Sequence, residues 1–135
     1  MGVSKLLRRS PVFEAFDDEK LEGIAASFSE VEFPAERVLI EPRTPGAGLY
    51  VICEGKVAVE APGTQRELGP GDVVGEISLL EEHGLRRARA IAKTDVTCLA
   101  LGRADFERLL EDEPDFAQAM HELARERLAE LEGSG

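Results

Sequence analysis

The residues of this chain best suited to chemistry lie between positions 75 and 89: Gly75-Glu76-Ile77-Ser78-Leu79-Leu80, a polar turn, then Arg86-Arg87-Ala88-Arg89. A glycine lets the backbone turn sharply and lets a ligand approach closely. The leucine-rich run behind it suits a short helix. The first turn of that helix would offer the unpaired N–H groups of Ile77 and Ser78 to an anion. The arginines supply the countercharge, and strand alternation separates them. Positions 86, 88, 90 and 92 read Arg, Ala, Ala, Ala, whereas 87, 89, 91 and 93 read Arg, Arg, Ile, Lys. The two sets occupy opposite faces of a strand. The alanine-lined face is the one that fits a crowded interior. Arg86 is its only charge, and an arginine directed inward needs an anionic partner. Arg87, Arg89 and Lys93 read as a solvated face. The chemistry expected is capture of a small anion.

Other chemistries lack their parts. No G-x-x-x-x-G-K-[ST] loop and no G-x-S-x-G elbow occurs, so the usual machinery of nucleotide and serine hydrolysis is missing. His83 and His121 are the only histidines, too few for a metal-dependent β-roll enzyme. No enzyme activity, metal or cofactor is expected. Cys53 and Cys98 sit singly in the apolar runs YVICEG and VTCLAL, and read as small buried hydrophobes rather than a disulfide or redox pair.

The elements that must position these residues separate by period. Up to about Phe28 the chain reads as helical. Leu6 and Leu7 suggest a short turn ended by Pro11, and Asp17 caps a segment whose Leu21, Ile24, Ala25 and Phe28 share one face. From Val31 to Leu101 the pattern becomes short strands: VEF, RVLIE, LYVICEG, KVAVEA, QREL, DVV, ARAIA and VTCLAL. Gly and Pro punctuate them, as in a roll or jelly-roll barrel. The last region is helical again. Phe106, Leu109 and Leu110 mark one helix, and Pro114 suits the first turn of the next. That second helix carries the stripe Ala117, Met120, Ala124, Leu128 and Leu131, widened by Phe116 and Leu123. Arg127 interrupts any regular heptad seam. The expected fold is therefore α+β: an antiparallel, jelly-roll-like β-roll with N-terminal helices, a short helix after Gly75, and C-terminal helices.

The pattern GE-x-x-LL, a turn, then R-x-A-x-x-x-A-x-T resembles the phosphate-binding cassette of cyclic-nucleotide-binding domains. That family includes catabolite-activator-type regulators, regulatory subunits of cyclic-nucleotide-dependent kinases, and nucleotide-gated channels. The matching residues are Gly75, Glu76, Leu79, Leu80, Arg86, Ala88, Ala92 and Thr94, with LYVICEGKVAV and GPGDVVGE as flanking signatures. The resemblance implies that Glu76 accepts a hydrogen bond from the ribose 2′-hydroxyl. It pairs Arg86 with the cyclic phosphate, beside amides at the cassette helix start. Val59 and Leu68 match positions flanking the base. Gly75, Ile77, Ser78, Arg87 and Ala88 complete the implied set. Arg87 stands where the family usually has Ala, Ser or Thr, so no hydroxyl is offered there to choose between cAMP and cGMP. Glu36 and Pro42 occupy habitual glycine places, which implies altered outer loops. The function implied is a regulatory sensor that binds cAMP or cGMP and repositions its C-terminal helices. The rival is a degenerate, ligand-free β-roll serving interaction or dimerisation.

Bulk properties fit one such domain over residues 1–132, with 133–135 set aside as a tail or linker scar. The 16 basic and 27 acidic residues give a net charge of −11, which disfavours direct binding to nucleic acid or an anionic membrane. No helix-turn-helix reader follows the terminal helix, and neither a membrane span nor a secretory leader is recognisable, so a cytoplasmic location is expected. The partners expected are a cyclic nucleotide and either an effector domain or protein or a second copy.

Overall fold

A computed structural model describes residues 2–14, 16–41, 48–61, 64–75 and 89–133. Helix α1 spans Val3–Leu7, a 3-10 turn spans Pro11–Phe13, and α2 spans Asp18–Ala25. The strands are β1 Ser29–Phe33, β2 Val38–Ile40, β3 Gly48–Glu54, β4 Val57–Ala61, β5 Thr64–Leu68, β6 Val73–Val74, β7 Arg89–Ala92 and β8 Val96–Gly102. Helices α3, Arg103–Asp112, and α4, Pro114–Gly133, follow. The strands form two antiparallel four-stranded sheets, in the orders β1-β8-β3-β6 and β2-β7-β4-β5. The expected β-roll with helices at both ends is what the chain forms.

The central strands of the first sheet, β3 and β8, are buried on both faces. Leu49, Val51, Cys53, Leu99 and Leu101 project toward the helices, where Leu7, Phe13, Phe28, Phe106, Phe116 and Met120 cover them. The alternate residues Ile52, Val74 and Cys98 project into the roll and meet Val57, Leu68, Ala90 and Ala92 of the second sheet. A strand covered on both sides has no reason to alternate polar with apolar. That is why YVIC and CLAL read as continuous hydrophobic runs.

Local chemistry fixes the ends of the elements. The Asp17 carboxylate accepts the Lys20 N–H at 2.8 Å and caps α2. Pro11 does not end α1, which closes at Leu7; it opens the 3-10 turn, a first-turn position where its missing N–H costs nothing. The Arg8 guanidinium donates to the carbonyls of Phe13, Glu14 and Phe16 and to the Asp18 carboxylate at 2.8 Å, clipping that turn to α2. Lys20 pairs with Glu113 at 3.2 Å, and Arg108 donates to Ser27 Oγ at 2.8 Å. The joint between α3 and α4 is thereby tied to the N-terminal helices. On α4 Phe116 and Met120 are buried, and Leu123, Ala117 and Ala124 are half-buried, Leu123 packing against the core; the side chains of Leu128 and Leu131 lie outside the described residues. The phenyl ring and the long Met reach the aromatic cluster; the alanines are too short to do so. The helix also runs to Gly133, one residue into the expected tail.

The chain turns sharply at Glu36, one of the two places where altered outer loops are expected. Glu36 adopts φ 74, and among the described residues it is the one non-glycine with positive φ. The conformation is over-determined by its surroundings. The Glu36 N–H donates to Ala92 O at 2.7 Å, and the Ala92 N–H returns to Arg37 O at 2.9 Å. The Ala35 N–H also donates to Asp95 Oδ1 at 3.0 Å. Pro42 lies outside the described residues.

Candidate ligand-binding site

Alternation along β7 follows the sequence reading. Ala90 and Ala92 are buried, Ile91 is half-buried, and Arg89 and Lys93 are exposed. Arg89 approaches Glu41 at 3.7 Å on the outer face. Of the expected ligand set, Gly75, Val59 and Leu68 are described. Glu76, Ile77, Ser78, Arg86, Arg87 and Ala88 lie outside the described residues, as does His83.

Val59 and Leu68 lie on the interior side of the second sheet, whereas Gly75 follows the edge strand of the first. Leu68 is buried opposite Val57, and Val59, half-buried, lies opposite Arg66 on one side and Ala90 on the other. Gly75 follows β6 with φ 103, a conformation that side-chain-bearing residues rarely adopt. The turn ahead of it is held firmly. The Gly69 N–H donates to Asp72 Oδ2 at 2.8 Å, the Gly71 N–H to Ile52 O at 2.8 Å, and the Ile52 N–H to Asp72 O at 2.9 Å. The GPGD signature thus locks the approach to Gly75 onto β3.

Thr94, at the end of the motif, has a structural task in the described chain. Its Oγ1 accepts the Lys56 N–H at 3.0 Å and donates to Asp95 O at 2.9 Å. The turn it closes requires Gly55 at φ 92, because a Cβ there would stand 2.8 Å from Thr94 Oγ1. Two residues near the site escaped the sequence reading. Arg66 lies two positions before Leu68 in one strand, so strand parity was the available signal. Arg127 donates through Nη1 to Val73 O at 2.9 Å; its one trace in the sequence was the break in the α4 seam.

Burial sets the chemistry of the cysteines. The Cys98 thiol, inside the roll, is pushed up from 9.0 to about 12 by burial, and Cys53, under the helices, is raised by the same cause. Both are buried free thiols on opposite faces of the first sheet. Among the described residues no group of three or more His, Cys, Asp or Glu is arranged to hold a metal ion. No described helix is long and apolar enough to cross a membrane.

Comparison with known proteins agrees with this architecture. The chain is 32% identical over 132 residues to the cyclic AMP receptor protein of Thermus thermophilus, covering 93% of this chain and 61% of that protein. Across six curated relatives it spans 26–61% of their length. The N-terminal domain of a transcriptional regulator from Streptomyces coelicolor superposes with a TM-score of 0.69 at 37% identity, over 93% of this chain and 94% of that one. The regulatory subunit of a cAMP-independent protein kinase A from Trypanosoma brucei gives a TM-score of 0.79 at 29% identity, over 90% of this chain and 44% of that one. The model of the cyclic nucleotide-binding domain matches residues 30–113. That stretch runs from within β1 to just past α3 and takes in the whole segment from Gly75 to Thr94, which makes this chain a member of the cyclic nucleotide-binding domain family.

Proposed function

We propose that this chain is a regulatory module, not an enzyme, that binds cAMP or cGMP in the mouth of the roll and passes its occupancy to the terminal helices. The observation that carries this reading is the family match across residues 30–113, within which Gly75, Glu76 and Arg86 all stand at their motif positions. Arg86 pairs with the cyclic phosphate, as its planar fork suits, and the amides of Ile77 and Ser78 complete the anion site. Glu76 accepts from the ribose 2′-hydroxyl. Val59 and Leu68 flank the base, with Arg87 and Ala88 alongside. Support for the inward aim of Arg86 comes from the alternation of β7, which puts Ala90 and Ala92 inside. No cofactor is needed. A ligand shifts the helices only by binding one of their arrangements better. The partner is an effector domain or protein, or a second copy, in the cytoplasm. The charge of −11 argues against direct contact with nucleic acid or membrane.

One observation favours a second reading, a ligand-free roll used for interaction or dimerisation: the Trypanosoma brucei protein keeps this fold and is described as cAMP-independent. Calorimetric titration with cAMP and cGMP separates the two. Saturable binding of either nucleotide supports the first reading, and heat-silent titrations with both at millimolar concentration support the second.

A further inference from the structure

Among the described residues one polar side chain is fully buried: Ser10, 1% exposed, between α1 and the 3-10 turn. Its backbone is satisfied, the N–H donating to Leu7 O at 2.9 Å and the carbonyl accepting the Phe13 N–H at 3.1 Å. Its hydroxyl has no hydrogen-bond partner. The residue is pressed against the turn that leads to Gly75: a Cβ on Gly71 would stand 3.0 Å from Arg9 O and 3.8 Å from Ser10 Cα. A buried hydroxyl left unpaired destabilises a fold, whereas an alanine fills nearly the same space without that cost. The docked segment gains nothing from the hydroxyl, so its use lies in the undocked one.

We propose that Ser10 is a phosphorylation site that releases the N-terminal segment from the roll. The surrounding sequence is Arg8-Arg9-Ser10-Pro11, so two cations adjoin the hydroxyl. When the segment lifts, Ser10 Oγ attacks the γ-phosphorus of ATP on a serine kinase. The new O–P bond forms as the bond to the ADP oxygen breaks, and the hydroxyl proton passes to the kinase's base. The phosphate carries about −1.5 to −2 charge at neutral pH, on strong acceptor oxygens. Arg8 directs its donors to the neutral carbonyls of Phe13, Glu14 and Phe16 as well as to the Asp18 carboxylate. A phosphate two residues away is a stronger acceptor than those carbonyls, so the clip that holds the 3-10 turn to α2 opens. Redocking would press a desolvated dianion against the Gly71 turn. The modified segment therefore stays off, whether or not a nucleotide is bound.

The test has two arms. In the first, an arginine-directed serine kinase and ATP are applied to the native chain and to R8A, and the site is mapped by mass spectrometry. Phosphate should enter Ser10 more slowly in the native chain than in R8A, whose clip is already open. Equal rates in the two chains, or no phosphate at Ser10 in either, overturn the proposal. In the second arm phosphoserine is installed co-translationally at position 10, and amide exchange is compared with that of the native chain. Exchange in residues 3–14 should rise about tenfold, the worth of one charge-assisted contact, while residues 96–101 of β8 keep their native rate. Unchanged exchange across 3–14 overturns the release, and so does an equal rise across β8, which is general unfolding. S10A should unfold at higher urea than the native chain. A less stable S10A also overturns the proposal, because the hydroxyl then serves the docked fold.

Discussion

Arg127 Nη1 stands 2.9 Å from the carbonyl oxygen of Val73, joining the terminal helix to the edge strand that leads into Gly75. Arg127 lies one turn beyond Leu123 and two beyond Met120, so its reach toward β6 continues the packed face of α4. A charged donor on a half-buried carbonyl contributes about 1.5 kcal/mol, enough to bias the docking of a helix end. Amide hydrogen exchange across residues 114–131 is expected to slow at saturating cyclic nucleotide, while residues 49–53 of β3 barely respond. In R127A the response of the helix should shrink and binding should persist. Identical exchange with and without ligand in the native chain would leave a passive binder.

Glu36 provides a stability prediction of known sign. A side-chain-bearing residue in the left-handed region costs about 1–2 kcal/mol, and glycine removes that cost against about 0.5–1 kcal/mol of added backbone entropy in the unfolded chain. E36G should therefore stabilise the domain by about 1 kcal/mol in urea unfolding, whereas E36A keeps the strain and stays near the native value. A destabilised E36G would mean that the Glu36 side chain does something beyond filling the turn.

Much of this fold was legible because its signals are local. Asp17 and the helical spacing of Leu21, Ile24 and Ala25 suffice for α2, and Gly and Pro mark nearly every strand end. The inward set of β7 followed from alternation alone, since Ala90 and Ala92 carry a two-residue period that a sheet must respect. What escaped the sequence depends on distant partners. The bond from Arg127 to Val73 spans 54 positions, and nothing near Arg127 names its acceptor. That Phe116 is a deep anchor of the α4 face depends on Phe13 and Phe106, whose rings stand 6.0 and 5.9 Å from its own. Left-handed Glu36 could be read only as a departure, because its turn is held by Ala92 on the neighbouring strand β7 and by Asp95 just beyond it, more than fifty positions along the chain.

Arg86 and Arg87 test the register of the proposed site. Arg86→Ala should weaken cyclic-nucleotide binding roughly tenfold to a hundredfold, the worth of a charge-assisted contact. Arg87→Ala should change it far less. The reverse pattern would shift the proposed inward face by one residue.

Glu76 is tested by the ligand. The 2′-deoxy cyclic nucleotide should bind the native chain distinctly more weakly, and Glu76→Gln should narrow that gap. Equal affinities for both sugars in the native chain would remove Glu76 from the ribose.

Cys98 gives stability an alkaline limb. Below about pH 9 the thiol is protonated in both folded and unfolded chains. From 9.0 to about 12 the unfolded chain ionises while the folded one keeps its proton, so stability falls as pH rises. The slope contributed is at most about 1.4 kcal/mol per pH unit. In urea unfolding between about pH 8 and 11, C98A should lose stability less steeply than the native chain. Parallel curves would mean that the folded thiol ionises as readily as the unfolded one.

Cys53 and Cys98 also divide the molecule in time. They lie on opposite faces of one sheet, the first beneath the helices and the second within the roll. A thiol reagent reaches each only when its own layer opens. The chain thus contains two clocks: the modification rate of Cys53 in C98A counts undocking of the helical layer, and that of Cys98 in C53A counts breathing of the roll. A nucleotide that tightened the roll without touching the helices would slow one clock and leave the other running at its original rate.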